Sequence, residues 1–124
     1  MIVVDTSVLI DGLTGSRRSG PALRNALDRG ERLILPALVL YEWLRGPRRP
    51  AELADQEALF PSEMALPFGP AEAVAAARLY ADLPRPRGRE LDLAIAAHAL
   101  VRDATLWTLN VADLDDVPGL KLVG

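Results

Sequence analysis

The sequence has no cysteine and a single histidine, His98. The first absence excludes a disulfide framework, a thiolate nucleophile and a Cys-ligated zinc or iron–sulfur centre; the second leaves too few imidazoles for a histidine-built metal site. Any metal must therefore sit on oxygen. Aromatic residues make up only 5% of the chain, so Tyr41, Trp43 and Leu44 read as core or subunit interface rather than as a base-stacking platform. No apolar run approaches the roughly 20 residues of a membrane span. The opening MIVVDTSVLI carries Asp5 at its centre with no basic residue before it, unlike a secretory signal, and a cytoplasmic location is expected. A formal charge of −3, with every base but Lys121 an arginine, argues against a broadly cationic nucleic-acid binder. A polyanion would need local arginines or bound cations. The 124 residues, 50% of them hydrophobic, suit one compact domain spanning 1–124.

MIVV at 1–4 is a β-branched run followed by Asp-Thr-Ser, a trio that favours helix starts, and then by VLIDGL: strand, turn, helix. GSRRSG breaks the pattern, PALRNALDRG offers a helix ended by Gly30, and LIL at 33–35 is a second apolar strand. Pro36 suits the first position of the helix PALVLYEWLR, which Gly46-Pro47 stops. AELADQEALF reads as a helix, MALPF at 64–68 as a short strand, and the alanine-rich 71–83 as an amphipathic helix closed by Pro84. PRPRGR at 84–89 is a loop, ELDLAIAAHALVR at 90–102 a buried helix, and LWTL at 106–109 a third strand. NVADLDD is a loop or single helical turn, and KLV at 121–123 an edge strand. Short apolar strands alternating with helices predict an α/β domain whose mostly parallel sheet is covered on both faces.

Four acids fall where such a sheet gathers functional groups, near the carboxyl ends of its strands. Asp5 follows the first strand, Glu42 lies two turns into the next long helix, Asp92 is in the first turn of the buried helix, and Asp113 follows the LWTL strand. Three of them interrupt strongly apolar surroundings, where a carboxylate is costly to keep ionised unless a cation or donor answers it. Carboxylates from distant parts of the chain, with no Lys or His nearby in sequence, would repel one another unless a hard divalent cation neutralised them. Mg²⁺ and Mn²⁺ take oxygen ligands and bridge acidic residues to phosphates, which points to phosphodiester hydrolysis. Simpler readings stand beside this one: Asp5 as a helix cap, Asp92 as a response to its helix dipole, Glu42 as a solvated side chain, Asp113 as part of a surface acidic turn with Asp115 and Asp116. Asp11 reads as helix surface and His98 as a structural histidine.

These residues resemble a known family. MIVVDTSVLID, the isolated Glu in LVLYEWL, the pattern AARLYADL…RGRELDLAIAAHAL and the late LWTLNVADL look like PIN-domain proteins, in particular the VapC toxins of VapBC toxin–antitoxin pairs, over essentially the whole chain. The resemblance implies a three-layer α/β/α PIN-like fold and a Mg²⁺- or Mn²⁺-dependent endoribonuclease acting on structured cellular RNA. It implies a homodimer held inactive by a cognate VapB-type antitoxin. The family's acidic positions fall on Asp5, Glu42, Asp92 and Asp113, its hydroxyl position on Thr6 or Ser7, and its strand-end hydroxyl on Thr108, followed by Asn110. The usual Asp-Phe at the fourth position is Asp113-Leu114 here, which leaves Asp115 and Asp116 as alternative fourth acids. Asp5 and Asp92 are expected to hold the metal directly, Glu42 directly or through water, with Thr6 and Thr108 orienting ligands. Arg45, Arg48 and Arg49, with Arg85, Arg87 and Arg89, are candidates for RNA phosphate contacts. Two rival functions are an inactive PIN-fold protein-binding module and a phospho-acceptor signalling domain; the latter needs a second acid beside Asp5 and a lysine at the end of a late strand, and the chain offers MIVVDTS and only Lys121.

Overall fold

The computed structural model describes residues 1–123. Four strands, β1 (Ile2–Val4), β2 (Leu33–Ile34), β3 (Thr105–Trp107) and β4 (Lys121–Val123), form one sheet in the order β2-β1-β3-β4, with every neighbouring pair parallel. Among the described residues, seven α-helices connect them: α1 (Thr6–Leu13), α2 (Gly20–Asp28), α3 (Ala37–Arg45), α4 (Pro50–Leu59), α5 (Pro70–Asp82), α6 (Glu90–Arg102) and the single turn α7 (Val111–Leu114).

The central strand shows why the sheet needs cover on both faces. Val3 and Val4 point to opposite sides of β1, and each is 0% exposed. A strand buried on both faces carries no polar alternation, which is how MIVV reads in the sequence. The result is the expected three-layer α/β/α arrangement with a parallel sheet in the middle. Helix α6 packs against β1, β3, α3 and α5, while α1 contacts α2, α3 and α4. Its residues from Leu93 to Ala99 are all buried, as its nearly all-apolar middle predicts. Close approach of α1 and α2 depends on Gly12, where an added Cβ would lie 2.6 Å from Leu23 Cδ1.

One expected strand does not form. A 3₁₀ turn (Ser62–Met64) runs into this segment, and after it comes a single parallel bridge between Leu66 and Pro36. Leu66 exchanges hydrogen bonds with the Leu35 carbonyl (2.9 Å) and the Ala37 N–H (2.7 Å). The partner segment enters α3 at Ala37, so nothing extended remains beside residue 68 for the ladder to continue on. The LWTL strand is shifted to Thr105–Trp107, and Thr108 stands just beyond its end.

Candidate active site

The strand order places β2 on one side of β1 and β3 on the other, so the connections diverge between the carboxyl ends of β1 and β3. That divergence opens the crevice in which parallel α/β sheets bind ligands. Asp5 and Thr108 leave the sheet at this point, and the Asp5 N–H still bonds the Trp107 carbonyl at 2.9 Å.

Asp5 occupies the N-cap position of α1 but its side chain caps nothing. Its Oδ2 instead accepts from Thr108 Oγ1 at 2.7 Å and from Ser7 Oγ at 3.0 Å. Each hydroxyl has one proton, and both protons point at Asp5. Their lone pairs accept backbone N–H groups, Leu109 to Ser7 Oγ and Asn110 to Thr108 Oγ1, each at 3.0 Å. The 3.4 Å approach of Ser7 and Thr108 is therefore a contact between two acceptors, not a further bond. Asp5 is 5% exposed, and among the described residues its Oδ1 has no protein donor. One oxygen fixes the side chain and the other is left for a ligand.

Glu42, on α3, is tied to the start of α1. Thr6 Oγ1 donates to Glu42 Oε1 at 2.7 Å, and Arg45 approaches Oε2 at 3.4 Å. Asp92 comes from the first turn of α6 and Asp113 from α7. The electrostatics of Asp92 bind the group together: its carboxyl is pushed above the ordinary 3.8, first by burial and then by the negative charges of Asp5, Glu42 and Asp113, with Arg89 opposing. The four expected acids thus share one electrostatic neighbourhood although 108 positions separate the first from the last in sequence. Beside them lies an open cleft of about 440 Å³ lined by Asp92, Asp113, Asp115, Asp116, Arg85 and Arg89, among others.

The expected arginines divide. Arg85 is exposed on the rim of that cleft and Arg87 is exposed on the same loop. Arg89 is already paired, with Asp116 at 2.7 Å. Arg45 flanks Glu42 and lies 5.3 Å from the Tyr41 ring centre. Arg48 stacks 4.3 Å over Trp43, and Arg49 lines a different hollow with Gly15, Arg17, Ala51 and Glu52. His98 is fully buried on α6, its Nδ1 3.5 Å from Arg102 and its Nε2 without a partner among the described residues. It stands outside the acidic group, in keeping with a structural histidine.

Among the described residues, no three or more acidic, His or Cys side chains are gathered tightly enough to hold an ion as they stand. Their chemistry nonetheless fits one. The donor set is all oxygen, Asp5 presents an unpaired oxygen, and the Asp92 carboxyl, raised first by burial and then by its acidic neighbours, is one whose ionised form a hard divalent cation would stabilise.

Comparison with known proteins agrees with this architecture. The PIN domain family model matches residues 2–120. The protein belongs to the PIN-domain family. It is 31% identical, over 98% of both chains, to Ribonuclease VapC19 of Mycobacterium tuberculosis, in strains CDC 1551 / Oshkosh and H37Rv alike. Its fold is similar to DNA-bound VapBC from Salmonella typhimurium, with a TM-score of 0.80 at 21% identity, covering 98% of this chain and 96% of that one. It is also similar to VapBC2 from Rickettsia felis bound to a promoter DNA fragment, with a TM-score of 0.78 at 20% identity over 99% and 98% of the two chains.

Proposed function

We propose that the chain, as a single PIN domain over residues 1–124, is a divalent-metal-dependent endoribonuclease that cuts structured RNA, and that it is the toxin of a VapBC-type toxin–antitoxin pair. The observation that carries this reading is the grouping of Asp5, Glu42 and Asp113 around Asp92 near the carboxyl end of the parallel sheet, where burial first, and then the charges of those three, raise the Asp92 carboxyl. The likeness to a ribonuclease over nearly the whole length supports it.

Asp5 and Asp92 would hold the Mg²⁺ or Mn²⁺, with Glu42 and Asp113 completing the acidic surround. Such an ion supplies charge neutralisation at a phosphodiester and activation of a water nucleophile. The protein's own part is positional. Thr108 and Ser7 lock Asp5 through Oδ2 and leave Oδ1 without a protein donor among the described residues. Thr6 holds Glu42 Oε1 so that α3 presents its carboxylate towards α1. Arg85 is placed to meet RNA phosphate at the cleft rim, where an attractive contact offsets the repulsion between polyanion and acids. No histidine serves as general base, since His98 is enclosed in the core. Unpaired bases of a folded RNA are the natural target for an open cleft of this kind.

Partners follow from the same resemblance: a cognate VapB-type antitoxin, and a second copy of this chain. Tyr41 and Leu44, 55% and 50% exposed on α3, are apolar surface that a subunit contact would cover. No described helix is long and apolar enough to cross a membrane. The phospho-acceptor alternative is disfavoured, because Lys121 Nζ sits 2.8 Å from Asp103 rather than beside Asp5. The test is cleavage of a structured RNA by the purified protein. Activity should vanish in EDTA and return with excess Mg²⁺ or Mn²⁺. Cleavage that survives the chelator would refute metal dependence, and none under any condition would favour the inactive binding module.

A further inference from the structure

Arg89 does something that a charge run in a loop does not announce. Residues Pro86–Arg89 form a tight turn, closed by the Arg89 N–H on the Pro86 carbonyl at 3.0 Å. Gly88 takes φ +85° there, the conformation that a type II turn asks of its third residue. The turn delivers Arg89 to the N-cap of α6, three residues before Asp92. From there the guanidinium forms a two-pronged fork on Asp116, Nη1 to Oδ2 at 2.9 Å and Nη2 to Oδ1 at 2.7 Å. Nη2 also donates to the Asp113 backbone carbonyl at 2.7 Å. Three hydrogen bonds thus connect the start of α6, which carries Asp92, to the turn that carries Asp113.

Apart from the fork, the turn is anchored by Leu114 and Val117, which are buried in the core, and by short-range backbone bonds, none of which reaches the start of α6. Helix α7 is only 4 residues long, and Leu114 is its one buried residue. Without the fork, the mutual repulsion of Asp92 and Asp113 would favour their separation. We propose that Arg89 is a positioning residue that clamps Asp113 against Asp92 through the fork on Asp116 and the Asp113 carbonyl, and that Asp116 therefore serves the clamp rather than the metal. The proposal rests on the metal-dependent reading of the acidic site. It moves Arg89 out of the RNA-contact set and leaves Arg85 as the cleft's free phosphate contact.

Geometry and charge make opposite demands, which allows a clean test. Arg89→Met removes a positive charge, Asp116→Asn removes a negative one, and Arg89→Lys keeps the charge but loses the planar fork. Mn²⁺ binding is measured by calorimetry on the whole protein, and amide hydrogen exchange is followed over residues 111–116 without metal. A clamp predicts that all three variants weaken Mn²⁺ binding by about 10-fold or more, the scale on which groups supporting metal ligands act. It also predicts faster exchange over that segment in all three. If Arg89 acts only through its charge, Arg89→Met tightens Mn²⁺ binding, Asp116→Asn weakens it and Arg89→Lys changes nothing; that pattern, or no change in any variant, overturns the clamp. Should Arg89→Met fail to fold, Arg89→Lys and the exposed Asp116→Asn make the same comparison. A wild type that binds no Mn²⁺ would instead overturn the metal-dependent function, while exchange over 111–116 would still report whether the fork holds that turn.

Discussion

Asp92→Asn is expected to lower RNA cleavage by about 100-fold or more, the scale of losing one group that stabilises developing charge, while making the metal-free protein more stable at neutral pH. The sign follows from the environment. Burial and the carboxylates of Asp5, Glu42 and Asp113 raise the Asp92 carboxyl above 3.8 in the folded state, so the fold binds that proton more tightly than the unfolded chain does. This preference favours folding below pH 3.8 and is lost as pH rises through the elevated folded value. At neutral pH the ionised group therefore opposes folding when no cation is present. Asparagine keeps the shape and discards the charge. Thermal unfolding in EDTA should show the variant melting a few degrees above the parent at pH 7, with the gap closing as the solution is acidified. A variant that melts lower at pH 7 would mean that Asp92 is stabilised by contacts, not strained by repulsion.

The second large effect concerns the support beneath Glu42. Trp43 is 0% exposed at the centre of the core, beside Glu42 on α3, with the Arg48 guanidinium 4.3 Å over its ring. The guanidinium also lies close over Gly46, where an added Cβ would fall 2.9 Å from Arg48 Nη2 and the arginine would have to shift. Trp43→Ala leaves a cavity that the surrounding helices cannot fill and should cost about 3–5 kcal/mol, a large part of the 5–15 kcal/mol that holds a typical domain. Urea denaturation should show a markedly lower midpoint, and Trp43→Phe, which keeps most of the volume, should lose much less. A change below about 1 kcal/mol on Trp43→Ala would contradict the burial.

The parts of the molecule legible in the sequence are those in which a single local signal decides. β1 and α6 announce themselves because both faces of the strand and nearly all faces of the helix are buried, which removes the usual polar alternation. Asp5, Glu42 and Asp92 stand out for the complementary reason, as charges in apolar runs. What stayed hidden depends on partners distant in the chain. Asp5 follows a strand and precedes a helix, so capping is the obvious local role; its actual donor, Thr108, lies 103 residues away. Arg89 sits in an arginine-rich loop and looks like a solvated phosphate contact, but Asp116, 27 residues on, engages it. The strand expected at 64–68 is cut to the Leu66 bridge to Pro36 because its partner segment turns into α3 at Ala37, a stop set by a distant stretch of chain.

The proposed metal site between Asp5 and Asp92 can be tested directly by anomalous diffraction from crystals soaked in Mn²⁺. The expected result is a peak between the two carboxylates, about 2.1 Å from the nearest oxygen of each, and its loss in Asp92→Asn. Density only on the Asp115–Asp116 turn, or none at saturating Mn²⁺, would contradict it.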